Sequence, residues 1–173
     1  LHPAASRFIS WHMATAAAPS VIENPTTYDE SPYPSGVFSQ SHPNRLAAMA
    51  RLFGVAAIDP SKARVLELGC ADGTNLLPMA DQVSGATFHG LDTSQVQIAT
   101  GQQAIEAAGL KNVELRLQNI LDFPPSAAQF DYIIAHAVFS WVPDPVREKI
   151  FAICAEHLNA NRLAYISYNA LPG

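Results

Sequence analysis

The chain has 173 residues, 49% hydrophobic and 14% charged, which suits one apolar-cored domain and excludes a disordered chain. Fifteen acidic against ten basic residues give a net charge of −5, leaving no electrostatic footprint for a nucleic-acid backbone. Cys70 and Cys154 are too few for a disulfide framework and lack metal-ligand spacing, and no apolar run reaches the ~20 residues that span a bilayer. A cytoplasmic protein without metal, membrane or nucleic-acid partner is the expectation.

Residues 1–40 read as an arm laid over a domain that occupies 41–173. Residues 1–12 precede the first methionine, Met13, and are expected to be an added or misassigned start. Pro25, Pro32, Pro34 and Gly36 interrupt any regular element, so the aromatics Tyr28, Tyr33 and Phe38 must find an apolar surface elsewhere. From Pro43 the pattern turns helical, with Leu46, Ala47, Ala50 and Phe53 in phase before Gly54. Ala63 to Leu68 then reads as a buried strand, and Thr74 to Gln82 as a helix. Thr87 to Leu91 is a second strand, and Ser94 with Gln97 begins a helix that Gly109 ends. Val113–Leu117 and Phe130–Ala135 are further strands. A helix opens at Pro143 or Pro145 and carries Val146, Ile150, Ile153, Cys154 and Leu158 on one face. Leu163 to Tyr168 is the fifth strand. Such alternation predicts an α/β fold, a doubly wound parallel sheet.

Ligands of these sheets bind beyond the carboxyl ends of the strands. There the first strand runs into Glu67-Leu68-Gly69-Cys70-Ala71-Asp72-Gly73-Thr74, where Gly69 and Gly73 allow close approach to the backbone. Asp92, at the end of the second strand, is placed to accept hydrogen bonds from both ribose hydroxyls of a nucleoside. The dinucleotide fingerprint needs glycine where Ala71 and Thr74 stand, and Asp72 would repel a pyrophosphate. The charge argument therefore favours S-adenosylmethionine, with its cationic amino-acid end, over NAD.

These residues resemble the first motif of class I S-adenosylmethionine-dependent methyltransferases. Asp92 matches the family's ribose-binding acid, and Gln118-Asn119-Ile120-Leu121-Asp122 the loop beside its adenine. Three further segments are similar to bacterial methyltransferases with an appended regulatory domain, a group like certain rickettsial protein-lysine methyltransferases. They are Tyr28 to Pro34, Phe130 to His136 with Ser140 to Pro143, and Ser167 to Asn169 with Pro172-Gly173. The resemblance implies a cofactor site built from Tyr28, Tyr33, Glu67, Gly69, Cys70, Ala71, Gly73, Asn75, Asp92, Thr93, Gln97, Asn119, Ile120 and His136. It implies a chain truncated after its fifth strand, because the family normally adds an antiparallel hairpin there.

The expected reaction is methyl transfer to a protein side-chain amine or a small molecule. Alignment rather than covalent catalysis supplies the rate. His136 and Tyr168, on the carboxyl rim, are the candidates for taking the acceptor's proton; loop or strand-end packing is the competing role for both. Trp141 and Phe139 either pack the core or wall the acceptor pocket. A homodimer covering the fifth strand is one expectation for the exposed edge. Two rivals remain: an NAD(P)-dependent oxidoreductase, and a non-catalytic cofactor-binding fragment of a larger methyltransferase.

Overall fold

In the computed structural model residues 35–170 are described. Short apolar runs between turns become five parallel strands: β1 (Arg64–Leu68), β2 (Thr87–Asp92), β3 (Val113–Leu117), β4 (Phe130–Ala135) and β5 (Leu158–Ile166). They lie in the order β3-β2-β1-β4-β5. Val65 stands beside Phe88 and Tyr132, and Glu67 beside Gly90 and Ile134.

Alternate residues face opposite sides, and each side is covered. Val65, Phe88, Tyr132 and Ile134 meet Ala47 of α1 (Pro43–Leu52), Leu76 and Met79 of α2 (Leu76–Gln82), and Ile98 of α3 (Gln95–Ala108). Leu66, Leu68 and Ile133 meet Ile150 and Ile153 of α4 (Asp144–His157), with Phe123 beneath them. The doubly wound α/β architecture read from the sequence is the one observed.

Local chemistry sets several helix ends. Ser94 Oγ accepts from Gln97 N at 3.2 Å, and α3 closes on Gly109 at φ 68°, a left-handed conformation that glycine adopts without strain. His42 caps α1: its Nδ1 accepts from Asn44 N at 3.1 Å.

The last strand departs from expectation. It begins at Leu158, placed by periodicity on the face of α4, and it ends at Ile166 rather than at Tyr168. The early start has a tertiary cause. Asp131 Oδ1 accepts from Arg162 Nε at 2.7 Å and from Asn159 Nδ2 at 3.3 Å, drawing the segment onto β4, and the register shifts between Phe130 and Tyr132. At the other end Ser167 Oγ accepts from Ala137 N at 2.7 Å, so the chain turns back toward β4 before Tyr168.

Strand order reverses between β1 and β4. The crevice at the carboxyl ends of those two strands is where a doubly wound sheet takes its ligand.

Candidate active site

A cavity of about 530 Å³ fills that crevice. Its floor comes from the turn after β1, its sides from Asp92 at the end of β2, Thr93 after it and the loop after β4, and its rim from Ser35, Gly36 and Phe38.

Backbone geometry shapes the floor. Gly69 sits at φ 72°, and a Cβ there would stand 2.5 Å from Val138 Cγ2, across the cavity wall. The turn's N–H groups are consumed internally. Gly69 N and Cys70 N both donate to Leu91 O, Ala71 N to Asp92 Oδ2, Gly73 N to Cys70 O, and Thr74 N to Asp72 Oδ1. No nest of open amides therefore remains at these positions for a pyrophosphate.

Asp72 plays a different part from the one assigned to it by the charge argument. It does not line the cavity. Burial pushes its carboxyl up, but hydrogen bonds from Thr74 and Ser35 outweigh that and hold it below the usual carboxylate range. The acids that do face the cavity are Glu67 and Asp92.

Glu67 is 3% exposed. Its Oε1 accepts from Asn75 Nδ2 at 2.7 Å, whereas Oε2 is buried with no hydrogen-bond partner. Burial pushes the carboxyl up to about 8 against the Asn75 bond, with the Asp92 charge adding to the rise. Asp92 is better solvated by the chain: Oδ2 takes Ala71 N and Oδ1 takes Ser94 N, each at 2.9 Å. Each of its oxygens keeps a further lone pair.

Of the residues expected at the site, Glu67, Gly69, Cys70, Ala71, Asn75, Asp92, Thr93, Gln97, Asn119, Ile120 and His136 line the cavity together. Asn119 caps the turn that follows it, its Oδ1 accepting from Leu121 N at 2.9 Å. Burial pushes the Cys70 thiol well up, which agrees with a turn residue rather than a nucleophile. Gly73 is not among the lining residues; a Cβ there would meet Leu77 and Leu115 at 2.7 and 2.8 Å, so core side chains fill the space beside it. Tyr168 is 70% exposed and is not part of the wall. Tyr28 and Tyr33 lie outside the described residues, but Phe38 of the same arm does line the cavity.

The tyrosine that meets His136 is Tyr165. Its hydroxyl stands 3.4 Å from His136 Nδ1, and the two rings stack 5.9 Å apart at 16°. The ring centre of Phe38 lies 3.7 Å from that of His136. Burial lowers the His136 pKa, favouring neutral imidazole. Strand alternation could have nominated Tyr165, since it sits two residues after Leu163 on β5. The apolar wall of Val138, Trp141, Val142 and Val146 was not foreseen as a unit. Arg147 holds its loop in place, donating from Nε to Phe139 O at 2.9 Å while lying 5.6 Å from that ring.

Known proteins resemble this chain in sequence and in fold. Residues 65–161 match a family model described as a methyltransferase domain. The uncharacterised protein RP789 of Rickettsia prowazekii (strain Madrid E) is 47% identical over 146 residues, covering 84% of this chain and 26% of RP789. A second uncharacterised protein of that organism, RP028, is 41% identical over 150 residues, covering 87% of this chain and 60% of RP028. The structure of PKMT2 from Rickettsia typhi in complex with AdoHcy matches with a TM-score of 0.79 at 41% identity, over 82% of this chain and 27% of PKMT2. The chain thus spans about a quarter of the length of RP789 and of PKMT2.

Proposed function

This chain belongs to the methyltransferase domain family, and on that premise we propose that its cavity binds S-adenosylmethionine and exposes the methyl group to an acceptor beside Phe38 and His136. The observation that carries the reading is Glu67, a residue of the cavity lining whose buried Oε2 has no hydrogen-bond partner, in a cavity that Asp92 also lines. A buried polar atom left unpaired costs about 1–3 kcal/mol, and an ammonium ligand removes that cost. The AdoHcy held by PKMT2 supports the same ligand class here.

The residues present fit such a cofactor. Glu67 and the Gly69 turn would receive the amino-acid end, and the free lone pairs of Asp92 the ribose hydroxyls. Asn119 and Ile120 would flank the adenine, with Val138 and Val142 as apolar cover. The committed amides of the glycine turn and the two facing acids speak against a dinucleotide. When bound, S-adenosylmethionine supplies a methyl group on a sulfonium, already activated for in-line displacement. The chain's own part is alignment, worth on the order of 7–11 kcal/mol in well-oriented systems. Neutral His136, in contact with the rings of Phe38 and Tyr165, is the group proposed to take a proton from an acceptor amine. A protein side-chain amine or a small molecule is the proposed acceptor class.

Calorimetry with S-adenosylmethionine and with NAD tests the reading. Binding of the first and none of the second is expected; binding of NAD, or of neither, refutes it.

A further inference from the structure

Asn75 stands just before α2, where an asparagine would ordinarily accept from the helix's own free N–H groups, yet it makes no such bond. Its amide turns the other way. Oδ1 accepts the Phe38 N–H at 2.9 Å, and Nδ2 donates to Glu67 Oε1 at 2.7 Å and to Ser41 Oγ at 3.1 Å. Ser41 is fully buried and donates its own hydroxyl to the Phe38 carbonyl at 2.8 Å. A single side chain therefore fastens the segment 38–41 at both its ends, while the ring of Phe38 lies against His136.

We infer that Asn75 is a positioning residue that couples Glu67 to the Phe38 wall, so that cofactor bound at Glu67 tightens residues 35–41 against His136 and completes the acceptor side. The inference rests on the function proposed above.

The coupling follows from the orientation of one amide. Phe38 N–H can only donate, so Oδ1 must face it, and both Nδ2 hydrogens are then committed to Glu67 and Ser41. A flipped amide would set NH2 against N–H and oxygen against the carboxyl group. With no slack in the amide, a change at Glu67 is passed to Phe38. The change itself is electrostatic. The buried acid holds its proton while Oε2 has no partner. A cation at Oε2 favours the carboxylate, whose hydrogen bond from Nδ2 is roughly twice as strong as a neutral one. That bond polarises the amide and makes Oδ1 a better acceptor for Phe38 N–H. Asp92, the other acid on the cavity, opposes ionisation of Glu67, and its carboxylate accepts from Ala71 N and Ser94 N rather than from residues 35–41.

Hydrogen–deuterium exchange with S-adenosylmethionine as the probe tests this. In the wild-type chain the cofactor is expected to slow exchange of a peptide covering residues 35–41 about tenfold or more. In Asn75→Ala, at a cofactor concentration that calorimetry shows to saturate the variant, that slowing is lost while peptides from β2 and from residues 119–122 still slow. Asn75→Leu keeps the volume and removes the hydrogen bonds, and it carries the same expectation should the alanine variant not fold. A purely structural Asn75 would raise exchange of 35–41 by the same factor with and without cofactor, and that result overturns the inference. So does equal slowing in wild type and variants, or no slowing of 35–41 in a wild type that calorimetry shows to be saturated. A wild type that takes up no S-adenosylmethionine overturns the functional reading, and this inference with it.

Discussion

Two acids, Glu67 and Asp131, are buried almost equally deeply at opposite ends of the sheet, and the chain treats them in opposite ways. Asp131, 5% exposed at the amino end of β4, has both oxygens occupied. Oδ2 accepts from Arg64 N at 2.9 Å, and Oδ1 from Arg162 and Asn159. Glu67, 3% exposed at the carboxyl end of β1, has one oxygen held and the other unpaired. The first arrangement ties the edge strand β5 to the sheet; the second leaves one carboxyl oxygen unpaired in a residue of the cavity lining. Backbone strain divides the same way. Among the described residues the non-glycine positions at positive φ are Ala71 and Ala137, both at the carboxyl end and both lining the cavity. Local strain of about 1–3 kcal/mol per residue persists where the surroundings impose it, and here that is around the site. What distinguishes these two acids is satisfaction, not burial.

The sharpest way to break that contrast is Gly69→Val. A branched side chain at φ 72° would collide with Val138 and close the floor of the cavity. Cofactor binding should fall by more than about 100-fold in calorimetry; a variant that folds and binds within tenfold of wild type would refute the placement of the site.

The two acids then exchange signatures under substitution. Asp131→Asn should lower unfolding stability by about 2–3 kcal/mol in denaturant titration, because Arg162 keeps its charge and loses its partner. Affinity for S-adenosylmethionine should stay within about twofold. Glu67→Gln should do the reverse, weakening binding by about 10–100-fold while the melting temperature holds or rises. Parallel behaviour of the two variants would end the comparison. Asp92→Ala should also weaken binding by about 10–100-fold, through the loss of a charge-assisted contact to both ribose hydroxyls.

Glu67 also imposes a pH dependence with a definite sign. Its folded pKa, raised from 4.5 to about 8, means that the unfolded chain gives up this proton first. Stability of the cofactor-free protein should therefore fall as pH rises through that window and level off above it. At pH 7 a cationic ligand should release a proton, visible as a dependence of the calorimetric heat on the ionisation enthalpy of the buffer and absent in Glu67→Gln. The smallest effect is expected at Tyr168. Tyr168→Phe should change affinity by less than about twofold, since that side chain lies off the cavity wall.

The sequence by itself determined the sheet and the helices covering it. Runs such as Arg64–Leu68 and Phe130–Ala135 can be buried on both faces only as parallel strands, and Ser94 and Gly109 mark their helix through bonds within a few residues. It also determined the floor and one side of the site, because Glu67, Gly69 and Asp92 follow from where strands end. Tertiary structure decided the rest. Asn75 faces Phe38, 37 positions away, instead of capping α2, and Tyr165 rather than Tyr168 meets His136. Asp131 draws β5 five residues earlier than its hydrophobic pattern suggests, and Asp72 turns from the cavity to Thr74. Periodicity reports which face of an element is buried. The direction of a polar side chain at an element's end is set instead by the donors and acceptors that folding brings beside it, and these come from distant parts of the chain.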